Sequence, residues 1–321
     1  MRNLKSTSQF TVDPLRAELP FGAIVRDLDP DALHDERVRE DLRTLWIEEG
    51  LIVFKGLSGS ETHITLSEVF GPGIEHPAKE VRKEYPGLVD VTYDPSDGFV
   101  VEVDGEPRGK PYPWHSDLIY AEQVNHGGIL RPITLPSRWG ETGFIDQIWA
   151  YERLPNALKR RIDGLHVVYK YNLDAERQRF GVANQMRVLQ YSPQIASIQS
   201  RLDDFPPVVH PLVFTQKQTG RKVLNLSPWF STGIEELPGA EGDALLDEIA
   251  AILVDPVNSY LHEWHMDEMV LWDNWRMLHS ALGTPIDERR HMMRTTIAGD
   301  YGLGRRAEGA QAKSQSEYLV V

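Results

Sequence analysis

The chain has 321 residues, 41% of them hydrophobic and 26% charged, with 34 basic against 48 acidic side chains and a formal net charge of -14. This balance argues against nucleic acid or a membrane surface as a partner, because neither has a basic face to meet it. Cysteine is absent, which excludes disulfides, thiolate catalysis and zinc–sulfur sites together, so any metal must be held by His, Asp or Glu.

Met1 to Glu18 contains no apolar run of the kind a secretory signal needs, and no stretch of about 18 apolar residues reads as a membrane span. A cytoplasmic protein is expected. Phe10–Val12 and Phe21–Val25 predict short strands. Asp29-Pro30 predicts a helix start, Leu33, Val38, Leu42, Leu45 and Trp46 recur at helical spacing, and Gly50 supplies the stop. Leu51–Phe54 reads as a buried strand and Ser60–Phe70 as a second helix. Strands follow at Leu88–Tyr93, Gly98–Val103, around His115, at Gly127–Leu135 and at Gly143–Asp146. Ile148–Gly164 has a helical pattern interrupted by Pro155. The polar stretch 172–205 reads as an insertion, expected to act as a lid. Val208–Ser227 predicts a hairpin around Gln218-Thr219-Gly220, and Asp243–Val254 an amphipathic helix. Ser259–His265, Met269–Asp273 and His291–Ala298 complete the strands. The pattern predicts a mainly β fold with flanking helices (α+β), a double-stranded β-helix or jelly roll over residues 1–302, and a mobile tail over 303–321.

The chemistry gathers at Tyr112-Pro113-Trp114-His115-Ser116-Asp117-Leu118. In an extended strand His115 and Asp117 point to one side, two-thirds of a facial triad of two histidines and a carboxylate, a set that binds Fe(II) and leaves positions open. A second such pair, His265 and Asp267, is read as a hairpin loop. Far downstream come Trp272-Asp273-Asn274, then His279, then Arg290 eleven residues later, with Arg294 four beyond on the same strand face. Taken alone, these residues also fit a metal-dependent hydrolase or isomerase on a cupin-like barrel, or a non-catalytic jelly-roll binding module. Neither of those readings has a use for Arg290 and Thr142.

Taken in order and spacing, the chain resembles the taurine dioxygenase and 2,4-dichlorophenoxyacetate dioxygenase family of Fe(II)- and 2-oxoglutarate-dependent oxygenases. Gly140-Glu141-Thr142, Trp272-Asp273-Asn274, Phe70-Gly71 and His76-Pro77 match further family segments, from about residue 20 to residue 300. The resemblance implies a metal triad of His115, Asp117 and His279, with Trp272 beside it. It implies 2-oxoglutarate held by Thr142 and by the planar fork of Arg290. O2 completes the set, and the products are succinate, CO2 and a hydroxylated small-molecule substrate. Halogenases of the broader group replace the carboxylate, and here Asp117 is present. His76 and Arg294 stand where taurine enzymes grip a sulfonate, although Arg294 also suits 2-oxoglutarate. Pro111 replaces the asparagine those enzymes carry four residues before the first ligand. With Tyr112, Trp114, Leu118 and Tyr120 around the site, a larger or more apolar substrate is expected. A homo-oligomer is expected.

Overall fold

The computed structural model describes residues 4–74, 85–193, 195–196, 202 and 205–308. At the N-terminal end β1 (Thr11–Pro14) pairs antiparallel with β2 (Ala23–Arg26), which lies parallel to β3 (Leu51–Lys55). The parallel crossover is made by α1 (Glu36–Glu49). The helix expected from Pro30 is split in two. Asp29 caps a 3-10 turn over Pro30–His34, and Asp35 then restarts the chain as N-cap of α1, its side chain accepting from the Arg37 amide. Gly50 ends α1 with φ 73, a left-handed turn that a side chain would strain. The second helix is α2 (Ser60–Phe70).

The middle of the chain supplies β4 (Val89–Tyr93), β5 (Val100–Val103), β6 (Glu106–Gly109), β7 (Tyr112–His115), β8 (Gly127–Thr134) and β9 (Thr142–Asp146). Pro155 divides the next helical segment into α3 (Gln147–Arg153) and α4 (Asn156–Ile162). There follow β10 (His166–Tyr169), β11 (Met186–Gln190), β12 (Val208–Pro211), β13 (Val213–Thr215), β14 (Lys222–Leu224), β15 (Ser231–Ile234) and α5 (Ala240–Leu253). The last strands are β16 (Ser259–His262), β17 (Glu268–Asp273), β18 (Met277–Ala281), β19 (Arg290–Ile297) and β20 (Arg305–Arg306).

Two sheets make the frame. The major sheet has seven strands in the order β1-β2-β3-β17-β8-β19-β4, and the minor sheet has four in the order β16-β9-β18-β7. Leu51, Val53, Leu130, Val270 and Met292 from the major sheet meet Phe144, Tyr260 and Met277 from the minor sheet in one buried cluster. Each such side chain contributes about 1.5–3 kcal/mol by leaving water. The other face of the major sheet is covered by α1 and α2, where Trp46 and Leu66 pack on Ile52, Phe54, Ile129 and Leu271. A third sheet, β15-β10-β12-β20, packs with α3, α4 and α5 in a separate cluster.

Three segments differ from the sequence reading. The stretch 172–205 contains β11, paired with β5 through Met186↔Val103, Arg187↔Glu102 and Val188↔Val101. The alternation of Met186 and Val188 with Arg187 and Leu189 carried that strand, hidden by the polar composition around it. Of the tail expected to be mobile, residues 303–308 include β20, which pairs with β12, and Arg306 donates to Glu122 at 3.0 Å, while 309–321 lie outside the described residues. His265–Asp267 lies in a turn as expected, but it joins β16 of the minor sheet to β17 of the major sheet and is therefore not a hairpin.

Candidate active site

The first two ligand candidates are fixed by strand register. His115 ends β7 and His279 sits in β18, and the two are directly opposed across the strand pair. Their rings lie 4.2 Å apart between centroids. The Nδ1 of His115 donates to the Pro113 carbonyl at 2.7 Å, which fixes the tautomer and leaves Nε2 as a ligand atom. Nε2 of His279 is 3.6 Å from Oδ2 of Asp117. Ligand atoms of His115, Asp117 and His279 all lie within 4.8 Å of one another. Burial brings the His115 imidazole down to about 3, with His279 adding to the effect, so it stays neutral and able to coordinate.

Asp117 departs from the strand geometry expected of it. Strand β7 stops at His115, and Asp117 lies in the turn that follows, with Leu118 in the left-handed region at φ 55. The carboxylate still converges on the histidines because the backbone around it is clamped. The Asn274 side chain accepts from the Asp117 amide at 2.8 Å and donates to the Asp117 carbonyl at 3.0 Å. The same amide group reaches Asn125 at 3.1 Å, and the Ser116 amide donates to Ser227 Oγ at 3.1 Å. Arg294 grips the Asp117 carboxylate with both terminal nitrogens, at 2.6 and 3.3 Å. Burial works to raise that carboxyl, but Arg294 and His279 outweigh it and hold it far below the usual range. The Trp272 ring stands 5.3 Å from His279 and 5.4 Å from the Arg294 guanidinium.

A second donor group comes from one strand of each sheet, β19 and β9. Arg290, 9% exposed, sends Nε to the Gly140 carbonyl at 3.3 Å. Among the described residues no carboxylate forms an ion pair with it. Burial pulls its guanidinium down to about 10, partly countered by Glu141, so the cation remains charged and short of an anion. Two residues on from Gly140, the buried Thr142 hydroxyl accepts from Trp264 Nε1 at 3.1 Å. No acceptor for its own proton is found among the described residues. Far apart in the chain, these two unspent donors are brought near each other because Arg290 touches Gly140, two residues before Thr142, and the pair suits one end of a dicarboxylate.

Aromatic side chains wall the triad on another side. Tyr112 stacks on Trp229 at 5.5 Å, and Trp229 and Phe230 stand 5.1 and 5.9 Å from His115 in edge-on geometry. Tyr120 packs on Tyr171 and Phe230 at 4.5 and 5.0 Å. Burial raises the Tyr120 hydroxyl, and Asp117 raises it further, so it stays protonated near the carboxylate. Tyr112, Tyr120 and Arg294 thus gather at the triad, and Leu118 is half-buried beside Asp117. His76 lies outside the described residues. Sequence reasoning missed Tyr171, Trp229, Phe230 and Trp264, and gave Asn274 no task. The adjacent Trp229-Phe230 pair after Pro228 was the available signal for two of them.

The donor set of two imidazoles and a carboxylate matches the preference of Fe(II) and fills half of an octahedral shell. Residues 11–296 match the model of the taurine catabolism dioxygenase TauD, TfdA family. The chain belongs to this family. An alpha-ketoglutarate-dependent 2,4-dichlorophenoxyacetate dioxygenase from Cupriavidus pinatubonensis is 30% identical over 87% of this chain and 95% of its own. An (S)-phenoxypropionate/alpha-ketoglutarate-dioxygenase from Sphingobium herbicidovorans is 30% identical over 91% of this chain and 96% of its own. Among solved structures, a taurine dioxygenase from Burkholderia xenovorans superposes with a TM-score of 0.69 at 22% identity, covering 94% of this chain and 97% of that one. The structure of AAD-2 with Mn(II) and N-oxalylglycine gives 0.69 at 22% identity over 92% and 99%. Like others of the TauD, TfdA family, the protein is a 2-oxoglutarate-dependent dioxygenase that uses Fe(II) and O2 on a small organic substrate.

Proposed function

We propose that His115, Asp117 and His279 hold Fe(II), that Arg290 and Thr142 hold the far carboxylate of 2-oxoglutarate, and that the aromatic wall receives a small organic anion with an aromatic or apolar body. When bound, the metal and its keto-acid partner supply O2 activation, coupling decarboxylation to succinate and CO2 with hydroxylation of a substrate C–H bond. The facing major and minor sheets support a double-stranded β-helix as the scaffold. Convergence of the three ligand atoms within 4.8 Å, from β7, the turn after it and β18, is the observation that carries the metal assignment.

This chain's residues then have separate tasks. The Pro113 carbonyl orients His115. Asn274 holds the Asp117 turn. Arg294 supplies a cation next to the triad, placed to meet the anionic group of a substrate while exchanging its grip on Asp117. Tyr112, Tyr120, Trp229 and Phe230 exclude water and favour flat or apolar groups. The relatives that act on 2,4-dichlorophenoxyacetate and phenoxypropionate share this chemistry of an anion on an aromatic ring. The described part of 172–205 borders a cleft of about 230 Å³ that Tyr112 also lines, and supports a lid there.

The test is a panel of aryloxyalkanoates, sulfonates, sulfate esters and amino acids, read by substrate-dependent succinate release and oxygen uptake. Turnover highest on an aryloxyalkanoate supports the reading. Turnover confined to small aliphatic sulfonates removes the role of the aromatic wall, and no uptake with any member removes the substrate class.

A further inference from the structure

Thr142 is the one hydroxyl in the proposed co-substrate site, and a hydroxyl is ambiguous. It has one proton to give and two lone pairs to accept with, and its rotor turns to suit its neighbours. Here one neighbour settles the matter. Trp264 Nε1–H is donor only, and it points at Thr142 Oγ1 at 3.1 Å. A lone pair of Thr142 is thereby spent, and the hydroxyl proton is turned elsewhere. Among the described residues nothing accepts it.

Trp264 is held in that attitude by a buried assembly that has no other evident task. Strand β16 pairs with β9 so that His262 lies opposite Thr142. The His262 ring meets Trp264 edge-on, at 4.7 Å and 87°. His262 is fixed at both nitrogens: Nε2 donates to Glu268 Oε1 at 2.7 Å, and Nδ1 accepts from the Tyr260 hydroxyl at 2.9 Å. Glu268 is fully buried in β17, where Lys55 pairs with its other oxygen. Glu268 Oε1 also accepts from the His265 amide at 2.7 Å, which fixes the turn just after Trp264. A buried carboxylate with three such bonds is costly to assemble unless every member is satisfied. This one joins the major sheet to the minor sheet at the place where Trp264 leaves β16.

We propose that Trp264 is a positioning residue for the co-substrate: by occupying the acceptor side of Thr142 it makes that hydroxyl a dedicated donor to the far carboxylate of 2-oxoglutarate. The Tyr260–His262–Glu268–Lys55 chain is the frame that aims the indole. This rests on the reading that Thr142 binds the co-substrate.

The test measures binding of N-oxalylglycine to the Zn(II)-substituted protein by calorimetry, alongside steady-state kinetics of the iron enzyme. Three variants are compared: Trp264→Phe, which keeps a ring and removes the N–H; Thr142→Val, which removes the hydroxyl; and the double variant. Trp264→Phe is expected to weaken N-oxalylglycine binding and to raise KM for 2-oxoglutarate by about three- to tenfold, the scale of one hydrogen bond. It should leave kcat and KM for the organic substrate unchanged. Thr142→Val should weaken binding at least as much, and the double variant no more than Thr142→Val alone. Binding unchanged in Trp264→Phe overturns the inference, as does a double variant in which the two losses multiply. Binding unchanged in Thr142→Val removes the co-substrate role of Thr142 itself, and this inference with it. If Trp264→Phe does not fold, the wild-type indole 15N–H resonance, assigned through its contact with the Thr142 methyl, decides instead. It should shift when N-oxalylglycine is added, and a resonance that does not move overturns the inference.

Discussion

Single side chains divide this site into ligands and the groups that aim them. His115→Ala, Asp117→Ala and His279→Ala should each abolish retention of iron through gel filtration while leaving the far-ultraviolet circular dichroism intact. A variant with full turnover would refute the ligand assignment. Asn274→Ala touches no ligand atom, yet it releases both backbone bonds that hold the Asp117 turn. Metal affinity is expected to fall about 10- to 100-fold, as for other groups that orient a ligand, measured by competition with a chelator. Arg290→Lys keeps the charge but loses the fork, and should raise KM for 2-oxoglutarate by about tenfold or more. The convergence of His115, Asp117 and His279 was legible in the sequence because residue types and spacing singled the three out, and the same spacing proposed Arg290 beside them. Asn274 was not, because its partner is 157 residues away and only the folded register brings the two together. Nor was the position of Asp117 in a turn, since alternation along a strand says nothing about where that strand stops.

Elements behave as their local patterns dictate wherever burial and spacing agree. Val38, Leu42, Leu45 and Trp46 face the sheet from α1, as their spacing implies. The 172–205 stretch shows the opposite case, because four or five alternating residues inside a polar segment give a weak period and β11 depends on β5 to exist. If this segment is a lid, its described part should exchange amide hydrogen more slowly once N-oxalylglycine and substrate are bound; equal exchange would remove the idea. One tie between elements was invisible in the sequence. Arg276, fully buried, binds Asp146 at 2.5 and 3.0 Å and the Ile47 and Glu48 carbonyls at 3.1 and 2.8 Å. Asp146 also caps α3. Removing one partner leaves a buried charge alone, so Asp146→Asn is expected to cost about 3–5 kcal/mol in urea unfolding. A loss under 1 kcal/mol would show the tie to be dispensable.

For the molecule as a whole, buried titratable groups set the response to acid. Burial lowers His63 to about 3 and both His126 and His210 to about 4, each from 6.5. The folded state keeps these three neutral while the unfolded chain protonates them below 6.5, so their contribution is present above 6.5 and is lost as pH falls towards 4. Asp273 works the other way, since burial raises it to about 7. Near pH 5 these three histidines and the similarly lowered His115 take up protons on unfolding and Asp273 releases one, a net uptake of about three. Stability should then fall by about 4 kcal/mol per pH unit there, and a urea midpoint that does not move between pH 6 and pH 5 would contradict it. The mainly β character of the fold was legible from the many short strands and few helices. The pairing order β3-β17-β8-β19 was not, because it joins strands distant in the chain, as in Leu51↔Trp272, Leu130↔Val270 and Ile129↔Thr295.

Strand β7 is an edge strand of the minor sheet, and its ladder with β18 has only two matched positions, His279↔His115 and Ala281↔Tyr112, with an irregularity between them. On the proposed assignment, a divalent ion gripped by that border strand, its neighbour and the following turn would be a rivet through a weakly secured seam of the scaffold. Loading with Mn(II) should therefore raise the melting temperature in proportion to the logarithm of free ion above its dissociation constant. Protection of the Trp114 and His115 amides should rise in step, ahead of any change in the amides of β3 and β17.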